Sequence, residues 1–144
     1  MKDFAVFWGC TIQTRFPFIE KSTRMVLESF KLPYKDIDGF TCCPEKSLVN
    51  NVDHGAFVVT AARNVALVDE LGYDLVSPCT GCVSNLATVK GELKANPREK
   101  AEVNGLLKEI GREFTGTASL KHLVPFFRDS VGIHTIKQKM KRDF

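Results

Sequence analysis

Apolar and polar positions along the chain fall into short runs of two different periods, and the alternation between them predicts an α/β arrangement. Phe4-Ala5-Val6-Phe7-Trp8 is a continuous apolar run closed by Gly9. It predicts a buried strand, with Cys10 on the loop leaving its carboxyl end. From Phe18 to Phe30 the pattern turns helical, with Ile19, Met25, Val26 and Phe30 marking one face, Pro17 in the first turn and Pro33 stopping it. Tyr34–Ile37 offers a second short strand and Asp38-Gly39 a turn, after which Phe40-Thr41 leads into Cys42-Cys43-Pro44. Pro44 restricts Cys43 to extended backbone.

Asp53 is a candidate N-cap for the longest helix, predicted to reach about Leu71 with an apolar face of Ala56, Val59, Ala62, Val65, Ala66 and Val68. Gly72 ends it. Asp74–Ser77 reads as a third strand, and Pro78-Cys79-Thr80-Gly81-Cys82 as the junction into a helix over about Val83–Lys94. The rest contains no cysteine. Pro97 opens a charged helix to about Glu113, Phe114–Ala118 is a Gly- and Thr-rich turn, Ser119–Val124 begins an amphipathic element, and Gly132 precedes a final basic helix. The expected fold is a small, mostly parallel sheet flanked by helices with a helical carboxyl-terminal segment. The expected organisation is one domain over residues 1–144, a core over about 1–95 and an extension over about 96–144.

Composition narrows the function classes. The 20 Lys and Arg against 17 Asp and Glu give a formal charge of +3. The basic residues are interspersed with acids, except in Lys137–Arg142, which reads as a solvated helix end, so a nucleic-acid partner is not expected. No apolar stretch approaches the length needed to cross a bilayer, and the amino terminus lacks the apolar core of a secretory signal. The expected setting is the cytoplasm.

The five cysteines, Cys10, Cys42, Cys43, Cys79 and Cys82, are the most specific signal. Their odd number does not suit a closed disulfide framework. The predicted strand exits place all three groups beyond the carboxyl ends of the sheet, where α/β folds collect ligands. Four thiolates complete a tetrahedral zinc site or a cubane cluster, so a fifth is either a bystander or an additional ligand. Cys79-Thr80-Gly81-Cys82 at a helix start also fits a thioredoxin-like redox motif, although that reading leaves Cys10, Cys42 and Cys43 without a role. His54, His122 and His134 read as surface or core residues. No Ser-His-Asp grouping, phosphate loop or paired carboxylate motif is evident.

The whole pattern resembles the cysteine-rich CCG domain of the heterodisulfide reductase B-subunit family and of related lactate, glycolate and succinate oxidoreductases. The resemblance is carried by Phe7-Trp8-Gly9-Cys10, Ile19-Glu20-Lys21-Ser22-Thr23-Arg24, Cys42-Cys43-Pro44, Ala61-Ala62-Arg63-Asn64, Cys79-Thr80-Gly81-Cys82 and Lys108-Glu109-Ile110-Gly111-Arg112-Glu113. It covers the chain as the amino-terminal half of such a protein.

The resemblance implies that all five cysteines hold a noncubane 4Fe-4S cluster. It further implies that the cluster takes part in reducing the CoM-S-S-CoB disulfide to two thiols, with no side-chain acid or base assigned. The partners it implies are a second CCG domain or chain, the iron-sulfur C-subunit and the flavin A-subunit of heterodisulfide reductase. Zinc in a structural docking module is the alternative ligand. Two features depart from the family pattern. Pro44 stands where the motif's glycine is usual, and only one five-cysteine set is present where the family's B-subunit has two, which implies either a separate second half or a single-cluster relay.

Overall fold

The computed structural model describes residues 2–140. Its centre is a three-stranded parallel sheet of β1 (Phe4–Val6), β2 (Asp74–Ser77) and β3 (Leu120–His122), in the order β1-β2-β3. Ala5 pairs with Leu75 and Val6 with Val76, while Leu75 pairs with Leu120 and Ser77 with His122. On the outer side of β1, Lys35 adds a single parallel bridge to Ala5. The amide of Val6 donates to the Lys35 carbonyl and the amide of Lys35 to the Phe4 carbonyl, both at 3.0 Å. The expected Tyr34–Ile37 strand is thus reduced to one bridge, because Pro33 removes a donor from an already short edge.

Both sheet faces are buried, as a parallel sheet requires. Ala5, Phe7 and Leu75 face a core built by α3 (His54–Leu71), α4 (Thr80–Ala95) and α5 (Pro97–Lys108). Phe4, Val6, Trp8 and Val76 face the other way, toward α1 (Gly9–Arg15), α2 (Pro17–Ser29) and α6 (Leu123–Phe126). The continuous apolar run at the amino terminus follows directly: alternate residues serve alternate cores.

Helix boundaries follow from local chemistry. The Asp53 carboxylate caps α3 by accepting from the Ala56 amide at 2.9 Å, and Gly72 closes it in the left-handed conformation, φ +68°. Asn96 caps α5, with Pro97 in its first turn. The Asp69 carboxylate gathers the amides of Thr115, Gly116 and Ala118 and so shapes the turn that delivers β3 to the sheet.

Further expectations change. β1 stops at Val6, two residues short of the expected run, and Gly9, at φ +70°, starts α1, so Cys10 lies in a helical first turn and not on a loop. On α2 the buried positions are Thr23 and Leu27, with Ile19 partly buried, whereas Met25 and Val26 are exposed. The inward stripe is 19, 23, 27, a true i, i+4 row. α4 begins three residues earlier than expected and α5 ends five residues earlier. Ser119–Val124 divides into the edge strand β3 and α6, followed by a π-helical turn (Phe127–Gly132) and α7 (Ile133–Lys139). Lys141 and Arg142 of the expected basic end lie outside the described residues. Val26, Phe30, Val124 and Ile133 border an apolar groove of about 650 Å³ between α2 and the carboxyl-terminal helices. Among the described residues no helix is long and apolar enough to cross a membrane.

Candidate metal centre

Three chain segments bring the five cysteines to the carboxyl edge of the sheet. Cys10 follows β1 through Gly9, Cys42 and Cys43 follow the Lys35 bridge, and Cys79 and Cys82 follow β2. Cys79 is the N-cap of α4 in extended backbone, and Cys82 lies in that helix's first turn. A helix amino terminus favours negative charge there.

Each cysteine lies near the next in a string. Cys10 Sγ lies 3.8 Å from Cys42 Sγ. Cys42 interacts with its neighbour Cys43, Cys43 with Cys82, and Cys82 with Cys79. The middle of the string is the buried part: Cys43 and Cys82 are buried, Cys79 at one end is half-buried, and Cys42 and Cys10 toward the other end are exposed. All five are free thiols.

Protonation follows position along the string. The neighbouring Cys82 thiol stabilises the Cys43 thiolate and lowers its pKa to about 6 against the cost of burial, with the Asn85 amide adding support. Cys82 is correspondingly pushed up by the same interaction and by burial. Burial, with Cys10 alongside, pushes Cys42 up to about 11. Cys43, which also receives the Asn85 amide at 3.5 Å, is thus the thiol whose anion the surroundings favour.

Several residues hold the string that the cysteine pattern alone does not reveal. Gly9 is the tightest: a Cβ there would sit 2.7 Å from Cys82 Sγ, so the helix can start beside the sulfur only if the residue has no side chain. Asn64, fully buried on α3, donates to the Cys42 carbonyl at 3.0 Å and accepts from the Thr41 amide at 2.9 Å. Asn85 on α4 donates to the Pro44 carbonyl at 2.7 Å and to Cys43 Sγ at 3.5 Å. The Ser77 hydroxyl accepts from the Cys79 amide at 3.1 Å. The available signal was a carboxamide inside an apolar stripe: Asn64 between Ala62 and Val65, Asn85 before Leu86. Buried polar groups require partners, and here the partners are the cysteine loops.

Next to the exposed end of the string lies a cleft of about 530 Å³ bordered by Cys10, Cys42, Gln13, Gly39, Arg24 and Asp36. Arg24 is fixed between Asp36 (2.6 Å) and Glu20 (2.7 Å) and lies over the Trp8 ring at 4.5 Å. Trp8 Nε1 donates to Asp36 at 2.8 Å. Burial opposes the Asp36 charge, but the Arg24 and Trp8 donors outweigh it and hold this carboxyl below its ordinary range. His122 makes a 3.2 Å contact with the Pro78 carbonyl, behind Cys79.

The arrangement fits an iron-sulfur group better than one zinc ion. Four thiolates about 2.3 Å from a tetrahedral zinc lie about 3.8 Å from one another. Among the described residues no three of the sulfurs lie mutually within 4.8 Å. An extended string with five sulfur donors can serve several metal atoms.

Comparison with known proteins gives the chain a family. A family model described as the cysteine-rich CCG domain matches residues 4–87, which include every cysteine. The chain is 35% identical over 137 residues to the B-subunit of the ferredoxin/F(420)H(2)-dependent CoB-CoM heterodisulfide reductase of Methanosarcina acetivorans, covering 95% of this chain and 46% of that one. It is 26% identical over 141 residues to the 8-methylmenaquinol:fumarate reductase membrane anchor subunit of Wolinella succinogenes, covering 98% and 48%. The chain thus spans about half the length of the curated relatives it matches. A crystal structure of a hypothetical protein from Helicobacter pylori shares the fold, with a TM-score of 0.77 at 20% identity over 89% of this chain and 25% of that one. On its cysteine pattern and its matched segment, the chain belongs to the cysteine-rich CCG domain family.

Proposed function

We propose that this chain is the iron-sulfur half of a heterodisulfide reductase B-subunit, with Cys10, Cys42, Cys43, Cys79 and Cys82 holding a noncubane 4Fe-4S cluster. The observation that carries the reading is the gathering of all five cysteines at one edge of the sheet, buried at Cys43 and Cys82 and open to a cleft at Cys10 and Cys42. When bound, such a cluster would exchange electrons with a disulfide. Reducing CoM-S-S-CoB to CoM-SH and CoB-SH takes two electrons and two protons. The chain's own residues would do four things. Cys43 supplies the readiest thiolate, Asn64 and Asn85 orient the double-cysteine loop, Gly9 lets α1 approach the sulfurs, and the Arg24-Asp36 pair shapes the side from which substrate arrives.

Residues 1–144 act in this reading as one domain, with 1–95 carrying the ligands and 96–144 adding helices and the edge strand. The relatives' greater length supports a second CCG unit as partner, and their names support an assembly. In that assembly we assign the iron-sulfur C-subunit and the flavin A-subunit as the source of electrons. The reducing cytoplasm suits the unpaired thiols.

Metal and acid-labile sulfide analysis of anaerobically prepared protein tests the assignment, with about four iron and four sulfide expected per chain. One zinc and no sulfide would replace it with the docking-module reading. The similarity to a fumarate reductase protein favours a second reading, a CCG component of a succinate, lactate or glycolate oxidoreductase. Assaying the complete complex with CoM-S-S-CoB against each of these acids separates the two.

A further inference from the structure

A second group of ligand-type side chains lies apart from the cysteines. His54 opens α3, Glu92 is on the last turns of α4, and Glu99 is in the first turn of α5. Glu92 follows Cys82 by ten residues of one helix, which is about 15 Å of rise. His54 Nε2 lies 2.6 Å from Glu92 Oε1 and 3.7 Å from Glu99 Oε1, and the three ligand atoms are all within 4.8 Å of one another. The side chains are between a quarter and a half exposed, so ions can reach them.

The surroundings orient this group as a ligand set. The Asn50 carboxamide oxygen accepts the Nδ1–H of His54 at 2.6 Å, which in the neutral ring leaves the lone pair on Nε2, the nitrogen that faces both carboxylates. Glu99 accepts at Oε2 from Asn96 Nδ2 at 3.2 Å, so Oε1 is the oxygen turned toward His54. Two of the three ligands thus have an outer hydrogen bond on the atom that would not touch an ion, the arrangement that fixes ligands around metals. Charge points the same way. An imidazolium neutralises only one of the two carboxylates, whereas a divalent cation with neutral imidazole neutralises both.

We propose that His54, Glu92 and Glu99 form a binding site for a divalent first-row cation that prefers nitrogen and oxygen ligands, with its remaining positions taken by water. The ion joins the start of α3 to α4 and α5. Through Asp53 and the preceding π-helical turn (Lys46–Asn50), it also steadies the segment leading from Cys43 and Pro44.

Manganese is the probe, because it favours carboxylate and imidazole over the thiolates of the cysteine string. Titration of the full chain with Mn²⁺, followed by the loss of free-ion paramagnetic resonance, is expected to show one bound ion per chain. His54→Gln, Glu92→Gln and Glu99→Gln should each weaken it at least tenfold, Asn50→Ala should weaken it by about tenfold, and Cys43→Ser should leave it unchanged. Circular dichroism establishes that each variant is folded. No bound manganese at about 1 mM ion, the weak end of protein cation sites, overturns the proposal. So does wild-type affinity in any of the three ligand variants, or loss of binding in Cys43→Ser.

Discussion

Gly9 shows how much one residue can decide. It stands at φ +70°, where a side chain is strained, and its missing Cβ is what leaves room for Cys82 Sγ. Gly9→Ala should lower stability by about 1–3 kcal/mol from backbone strain alone. On the proposed cluster it should also reduce iron loading, because the added methyl displaces Cys82 Sγ. Urea unfolding and iron content measure the two effects separately, and wild-type iron content would show that the close approach is dispensable. Asn64 and Asn85 act at the same scale. Each carboxamide ties a helix of the core to a backbone carbonyl of the Thr41–Pro44 segment, so the loop inherits the rigidity of α3 and α4.

Between elements, the pairing of α2 with the segment after it rests on a mixed polar and apolar contact. Leu27 is fully buried against β1, a burial worth about 1.5–3 kcal/mol. Arg24, one turn earlier, reaches Asp36, Tyr34 and Glu20. The Asp36 carboxyl is held below its ordinary range in the folded chain. Its contribution to stability is therefore complete above about pH 4 and is lost as the pH falls through the depressed value. Trp8, the chain's single tryptophan, donates to the same carboxylate and reports the change. In the cluster-free protein an acid transition in Trp8 fluorescence should appear below about pH 4 and be absent from Asp36→Asn. A transition that survives in the variant would assign it to another group. The Arg24-Asp36 pair was illegible beforehand because its partners are 12 residues apart and meet only when the Lys35 bridge forms. The α2 face was misread for a related reason. Met25, Val26 and Phe30 are apolar, but the sheet takes the row through Thr23 and Leu27, while Val26 and Phe30 turn outward along the groove beside α7.

For the whole molecule, the cysteine segments are separated by 31 residues between Cys10 and Cys42 and 35 between Cys43 and Cys79. A group that binds all of them in the folded state, and none in the unfolded one, links those loops and stabilises the fold. Loaded protein is expected to melt several degrees above protein stripped of iron by chelation under reducing conditions. Cys43→Ser should remove that difference more completely than Cys10→Ala, since Cys43 is buried at the middle of the string and Cys10 lies at its exposed end. Equal melting temperatures with and without iron would mean that the loops are already held by protein contacts alone.

The amino-acid sequence by itself determined a strand within Phe4–Trp8 and one at Asp74–Ser77, the long helix capped by Asp53 and closed by Gly72, the α/β class and the five cysteines as one candidate site. All of these rest on local periodicity, caps and short spacings, which are written in neighbouring residues. Only the tertiary structure decided the rest. It set the order of the cysteines, the buried middle and exposed end of the string, and the roles of Gly9, Asn64 and Asn85. It also made Leu120–His122 an edge strand and brought His54 between two glutamates from other helices. These depend on distances between segments far apart in the chain, and those distances arise only when both faces of the sheet are packed.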